Sequence, residues 1–175
     1  MKTLTEHLGQ YAIYHRDERN IYTHFVGVPL IVIAVIWLLY IPMLTVESVV
    51  LTPALFIIFG LSLYYIWLEV KLGCVMAGLL AAGYLSAQLS YMHFSGIELW
   101  FYMVAFSIFF IGWVIQFIGH YFEGKKPAFV DDLMGLIIGP LFVVSEFAFK
   151  LGFLKSLEIQ VIDIAGPYKK QRNKK

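Results

Sequence analysis

Residues 14–46, YHRDERNIYTHFVGVPLIVIAVIWLLYIPMLTV, decide how the rest of the chain is read. The stretch opens on a knot of charge, Arg16, Asp17, Glu18 and Arg19, and then runs over residues 21–46 without an Asp, Glu, Lys or Arg. A helix needs about 20 apolar residues to cross a bilayer, so this run is long enough for one crossing. Three further charge-free runs follow, at residues 48–68, 72–97 and 99–122. Apolar runs that do not alternate with polar residues point to helices in lipid, because a helix satisfies its own backbone hydrogen bonds where water is absent. The expected fold is an all-α integral membrane protein with four transmembrane helices.

Composition supports this. Of the 175 residues 60% are hydrophobic and only 14% charged, against about 25% charged in soluble domains. The first residues, MKTLTEHLGQYAIYHRDERN, show no short apolar core followed by small cleavage residues, so no removable signal peptide is expected and the first crossing doubles as insertion signal. The aromatic residues sit inside the apolar runs rather than on a basic face, which sets a nucleic-acid partner aside. The single cysteine, Cys74, has no internal disulfide partner and is expected to be packed.

Lysine and arginine favour the cytoplasmic side. Lys2, Arg16 and Arg19 therefore place the N-terminus inside, as Lys71, Lys125 and Lys126 do for the second and fourth connections. A fifth apolar stretch, residues 129–154, would export the basic tail if it crossed. It also contains Gly139 and Pro140, where helix is disfavoured. The expectation is a C-terminal re-entrant or interfacial helical hairpin broken there, with a fifth span as the alternative. Residues 1–160 form one polytopic domain on this reading. Residues 161–175, ending in KKQRNKK, form a basic cytosolic tail beside anionic lipid.

With four crossings His15, His24 and His120 share the inner face, while His93 falls on the other and His7 lies early in the N-terminal segment. His15 and His24 are nine residues apart, and at about 100° per residue they oppose each other on one straight helix. The knot RDERN supplies a break, with Asn20 suited to cap a helix starting near Ile21. A short helix presenting Tyr11 and His15, then a turn, then a helix presenting His24 could bring the two imidazoles together. Gln116, His120 and Glu123 share one face of the fourth run. Two imidazoles and a carboxylate are the ligands of non-heme Fe(II) oxygenases, which makes Glu123, Asp131 and Asp132 candidate carboxylates and Asn20 and Gln116 candidate supports for the imidazoles. The competing reading keeps these groups structural: interfacial histidines are tolerated, Asp131 or Asp132 caps a helix, Gln116 bonds a neighbouring helix, and Glu146 pairs with Lys150 at i to i+4. A heme held by His24 and His120, or a non-enzymatic membrane scaffold, stands as the alternative function.

Three motifs, YHRDERNIYTHFVGVP, GWVIQFIGHYFEGKKPAFVDDL and GPLFVVSEFAFKLGF, resemble those of the membrane-embedded 2-hydroxy fatty acid dioxygenases, over about residues 11–153. The resemblance implies Fe(II) as cofactor, a 2-hydroxy fatty acid and molecular oxygen as partners, and α-oxidation that shortens the acid by one carbon. It carries His15, His24 and His120 over as iron-binding histidines, with Glu123 and Asp132 in matching motifs. Lys125 or Lys126 would attract the substrate carboxylate, although their topogenic role is the competing reading. In a eukaryote this implies the endoplasmic reticulum and breakdown of the phytosphingosine base; in a bacterium it implies the inner membrane. A homo-oligomer is compatible with all of it. A C-terminal tag should be cleaved by protease only from the cytosolic face of sealed vesicles; cleavage only from the outer face would overturn the four-crossing reading.

Overall fold

A computed structural model describes residues 2–47 and 49–169. Among them the chain forms α1 (Leu4–Ala12), α2 (Glu18–Leu38), a hairpin of β1 (Leu44–Val46) and β2 (Val49–Leu51), α3 (Pro53–Leu68), α4 (Val70–His93), α5 (Glu98–Glu123), a 3-10 turn (Ala128–Val130), α6 (Met134–Lys150) and α7 (Lys155–Ala165). Three of these, α2, α4 and α5, are long and apolar enough to cross a membrane, or four helices in all if α6 and α7 count together as one broken span. The architecture is consistent with a helical membrane protein, and large apolar side chains such as Phe59, Leu89, Leu99 and Phe106 point outward, as lipid rather than water would allow.

Two expected boundaries moved. The first run does not stay helical to Val46: α2 ends at Leu38, and residues 44–51 pair as an antiparallel hairpin, Leu44 opposite Leu51. Pro42 disfavours helix at Ile41, and the β-branched Thr45, Val46, Val49 and Val50 favour strand. Starting only at Pro53, the second run yields a helix of 16 residues. At about 1.5 Å per residue that is about 24 Å, short of the roughly 30 Å of a bilayer core. The four-span count therefore reduces to three clear spans and the shorter α3. Exposed Cys74 also departs from the packed position expected of it.

The C-terminal stretch bends elsewhere than expected. Helix α6 runs unbroken through Pro140, which lies in its second turn, where the lost hydrogen bond is confined to one end. The break falls at residues 151–154, where Gly152 adopts φ 87°, and α6 and α7 meet at 118°. The boundary expected at residue 160 lies inside α7. Of the basic tail, residues 170–175 lie outside the described residues.

The chain divides into two compact units. Residues 30–112 form one, built around an aromatic cluster: Trp37 stacks on Phe101 at 5.1 Å, and buried Tyr40 meets Tyr84 and Tyr91. Trp37 Nε1 donates to Ser86, the Tyr84 hydroxyl to the Val50 carbonyl, and the Tyr102 hydroxyl to the Tyr40 carbonyl. A single extended residue, Glu69, joins α3 to α4 and caps the latter by accepting from the Leu72 N–H.

Residues 1–29 and 113–175 form the other unit. A capping box of Thr3 and Glu6 starts α1. This helix buries Leu8 and Ala12, and α6 and α7 pack against it with Ile138, Leu141 and Val161 in the core. The start of α2 and the end of α5 meet at Gly119, where an added Cβ would overlap Thr23 and lie 2.5 Å from Asn20 Oδ1. Gly119→Ala should therefore destabilise the detergent-solubilised protein by about 1–3 kcal/mol, the usual cost of overpacking; an unchanged thermal midpoint would contradict this close approach.

Candidate metal centre

His15 follows α1, and its ring lies flat on Tyr11 with centroids 4.2 Å apart. The helix break expected in the charge knot is there, but its cap differs. Asp17, not Asn20, caps α2, its Oδ1 accepting from the Arg19 N–H at 3.0 Å. Asn20 lies inside the first turn, and its carbonyl accepts from His24 Nδ1 at 2.8 Å. The carbonyl of Tyr11 does the same for His15 Nδ1, also at 2.8 Å.

Those two bonds determine the chemistry of the rings. A carbonyl only accepts, so each Nδ1 carries its hydrogen, and in a neutral imidazole the other nitrogen, Nε2, is then a bare lone pair. His15 Nε2 and His24 Nε2 face each other at 3.0 Å. Facing lone pairs repel unless a proton or a metal ion sits with them. Burial and the neighbouring His24 hold the His15 pKa well below its usual value, which disfavours the proton. Two nitrogens each about 2.1 Å from one ion and at right angles to it would be about 3.0 Å apart, so the pair fits a metal ion.

His120, near the end of α5, completes the cluster. Its ring centroid lies 5.0 Å from that of His15 and 5.2 Å from that of His24. The three residues are buried, and each offers a ligand atom within 4.8 Å of the others. Among the described residues, the buried side-chain atoms without a hydrogen-bond partner are His120 Nδ1, Gln116 Nε2 and Asn20 Oδ1. All belong to the ligands or to residues one helical turn from them. Unsatisfied groups clustered in this way call for a physical explanation, and a bound ion held by the three imidazoles is one that fits them.

None of the expected carboxylates joins this group. Glu123 has its Oε2 on the Asp17 N–H at 2.7 Å and on Asn20 Nδ2 at 3.3 Å, while Oε1 meets Lys169 Nζ at 3.3 Å. It thus places negative charge at the start of α2, where the helix dipole favours it. Asp132 is exposed, accepts from the Met134 N–H at 2.9 Å and lies 3.9 Å from Lys2. Lys126 pairs with Asp131, which also accepts from the Tyr14 hydroxyl at 2.7 Å; Lys125 donates to the Ile13 carbonyl at 2.9 Å. His93 ends α4 in the other unit. His7 lines a cleft of about 230 Å³ with Gln10, Tyr11, Tyr14, Asp131 and Asp132.

Sequence reading missed the partners of the charge knot. Glu146 does not reach Lys150; it is buried and faces Arg16 Nη2 at 3.4 Å and the Tyr168 hydroxyl at 3.0 Å. The i to i+4 pairing fails because Glu146 points inward while Lys150 is exposed and meets Tyr22. No spacing rule could have linked Arg16 to residues so far along the chain.

Three buried imidazoles gathered beside apolar helices describe a helical membrane protein with a histidine cluster that could hold a metal ion. The chain belongs to the Mpo1-like family, whose model, described as 2-hydroxy-palmitic acid dioxygenase Mpo1-like, matches residues 1–151. It is 33% identical over 157 residues to the 2-hydroxy-palmitic acid dioxygenase MPO1 of Saccharomyces cerevisiae, covering 89% of this chain and 85% of that protein. No solved structure matches the chain.

A pH dependence follows from the depressed His15 pKa. A histidine that must stay neutral when folded but protonates when unfolded contributes stability that is full above its unfolded value, near 6.5, and is lost as pH falls below it. The metal-free protein should therefore unfold at lower temperature at pH 5 than at pH 7. His15→Gln should flatten that slope, and a pH-independent midpoint in the parent protein would contradict it.

Proposed function

We propose that this chain is an Fe(II)-dependent dioxygenase that shortens 2-hydroxy fatty acids by one carbon at the cytosolic membrane interface. The observation that carries the metal is the pair of bare Nε2 atoms 3.0 Å apart with His120 beside them. Membership of the Mpo1-like family, and the 2-hydroxy-palmitic acid dioxygenase activity for which the yeast relative is named, support the substrate class.

The reaction balances as follows. The bond between C1 and C2 of the acid breaks, the carboxyl carbon leaves as carbon dioxide, and the alcohol carbon becomes the new carboxyl. One dioxygen takes up the four electrons and one water forms. Bound Fe(II) would supply the redox chemistry toward dioxygen that side chains lack. The ligands are His15, His24 and His120, and their Nδ1 bonds to backbone carbonyls hold each of the first two in the ligating tautomer. With no carboxylate among the three, the substrate's own carboxylate would supply the anionic charge at the site, with its neutral hydroxyl beside it. Glu123 and Asp132 then act by holding α2 and starting α6, while Gln116 lies one turn from His120 without a bond to its Nδ1.

Tyr11 covers one face of His15 and also lines the cleft, so a headgroup entering there lies one ring from the ligands. Lys125, which donates to a carbonyl rather than to a carboxylate, adds positive charge that favours an acid. The alkyl chain stays among the apolar helices. A eukaryotic host would place the protein in the endoplasmic reticulum and a bacterial one in the inner membrane, with the N-terminus and basic tail cytosolic. The heme alternative needs a flat macrocycle between His24 and His120, and their ring centroids are only 5.2 Å apart with His15 against both.

The test is oxygen uptake by the purified protein, reconstituted anaerobically with Fe(II), on adding a long-chain 2-hydroxy fatty acid beside its non-hydroxylated counterpart. Uptake is expected with the hydroxy acid alone, with an acid one carbon shorter as product, and should fall to background in His24→Ala and His120→Ala. Retained activity in those variants, or a Soret band in the parent protein, would overturn the reading.

A further inference from the structure

His15 is the one ligand of the three that lies outside a helix. Its backbone is held locally by two turn bonds, Tyr14 N–H to the Tyr11 carbonyl and His15 N–H to the Ala12 carbonyl. A ligand on such a segment stays within reach of its partners only if something else holds the segment.

The support comes from the far end of the chain. Arg16 is buried, and its Nε donates to the carbonyls of Ala12 at 2.9 Å and His15 at 3.1 Å. Its Nη1 donates to the Gly166 carbonyl at 3.1 Å, its Nη2 faces Glu146 at 3.4 Å, and the guanidinium lies 4.6 Å from the centre of the Tyr168 ring. The hydroxyl of Tyr168 donates back to Glu146, closing a ring of contacts around the buried charge. On the other side Lys169 N–H donates to the Arg16 carbonyl at 2.8 Å, Asp17 and Lys169 form a parallel β-bridge, and Lys169 Nζ reaches Glu123. Helix α7 packs against α1 and delivers this segment to the loop. Residues 166–169 lie beyond the part of the chain that the family model matches.

We propose that residues 166–169 are a clasp on the loop that carries His15, with Arg16 and Tyr168 as positioning residues for that ligand; the effect on metal affinity rests on the three-histidine centre proposed above. A buried ion pair adds little net stability after desolvation. What it contributes here is geometry, because the same guanidinium ties both the carbonyl before Arg16 and the returning chain.

The test uses the full-length protein in detergent with two readouts. In the metal-free protein, hydrogen exchange followed by mass spectrometry should rise for peptides spanning residues 13–17 in Tyr168→Ala and stay unchanged in α4 and α6. Anaerobic titration with Co(II), followed by its visible absorption bands, should show binding weaker by about 10-fold or more, the usual cost of losing an outer partner of a ligand. Tyr168→Phe, which keeps the ring beside Arg16, should recover most of that affinity. Unchanged exchange at residues 13–17, a uniform rise across the unit, or unaltered Co(II) affinity would each overturn the clasp. Parent protein that shows no Co(II) bands would instead overturn the metal reading, with local exchange alone then deciding the clasp.

Discussion

Two imidazole nitrogens 3.0 Å apart, both with their hydrogens committed elsewhere, are the arrangement on which the rest of this unit depends. The carbonyls of Tyr11 and Asn20 impose it, and each lies four residues before the histidine it holds. For His24 that spacing is one turn of α2; for His15 it needs the chain to keep curling past the end of α1. The surroundings are arranged to keep both rings neutral and in place. Tyr11 and Phe142 cover His15, and Gly119 lets α5 approach α2 closely enough to bring His120 alongside.

The charge knot before α2 serves this arrangement more than it serves topology alone. Asp17 caps the helix and pairs with Arg19, Arg16 turns inward to Glu146, and Glu123 accepts the backbone N–H of Asp17. Apart from Glu146, which lies inside α6, these groups sit where a helix begins or ends, so charge neutralisation and backbone satisfaction coincide there. In an apolar medium an unsatisfied amide or carboxylate is costly. The short stretch between α1 and α2 is accordingly provided with partners from both ends of the chain.

Much of this could be read from the sequence, and the limits have physical causes. The apolar runs, the break between His15 and His24, the stacking side of Tyr11 and the shared face of Gln116, His120 and Glu123 all follow from periodicities within one helix or across one turn. The hairpin at residues 44–51 was hidden because charge-free strand and charge-free helix look alike to a count of charges. Pro140 misled because its effect depends on its position within the helix, and the bend sits instead at Gly152. Glu123 looked like a ligand because the carboxylate is on the right face. Its engagement with Asp17, like the inward pairing of Arg16 with Glu146, is a long-range contact that no local pattern encodes.

The unit that holds the histidines is made from the first 29 residues and from residues 113 onward. His15 and His24 leave the ribosome before their third partner, which comes with α5, and Lys169 follows later still. The cluster therefore stays incomplete while the intervening helices are being made. Chain topology thus acts as a timer: a metal ion met before α5 is made would find only two of the three imidazoles, and the full set exists only once the later helices have been made.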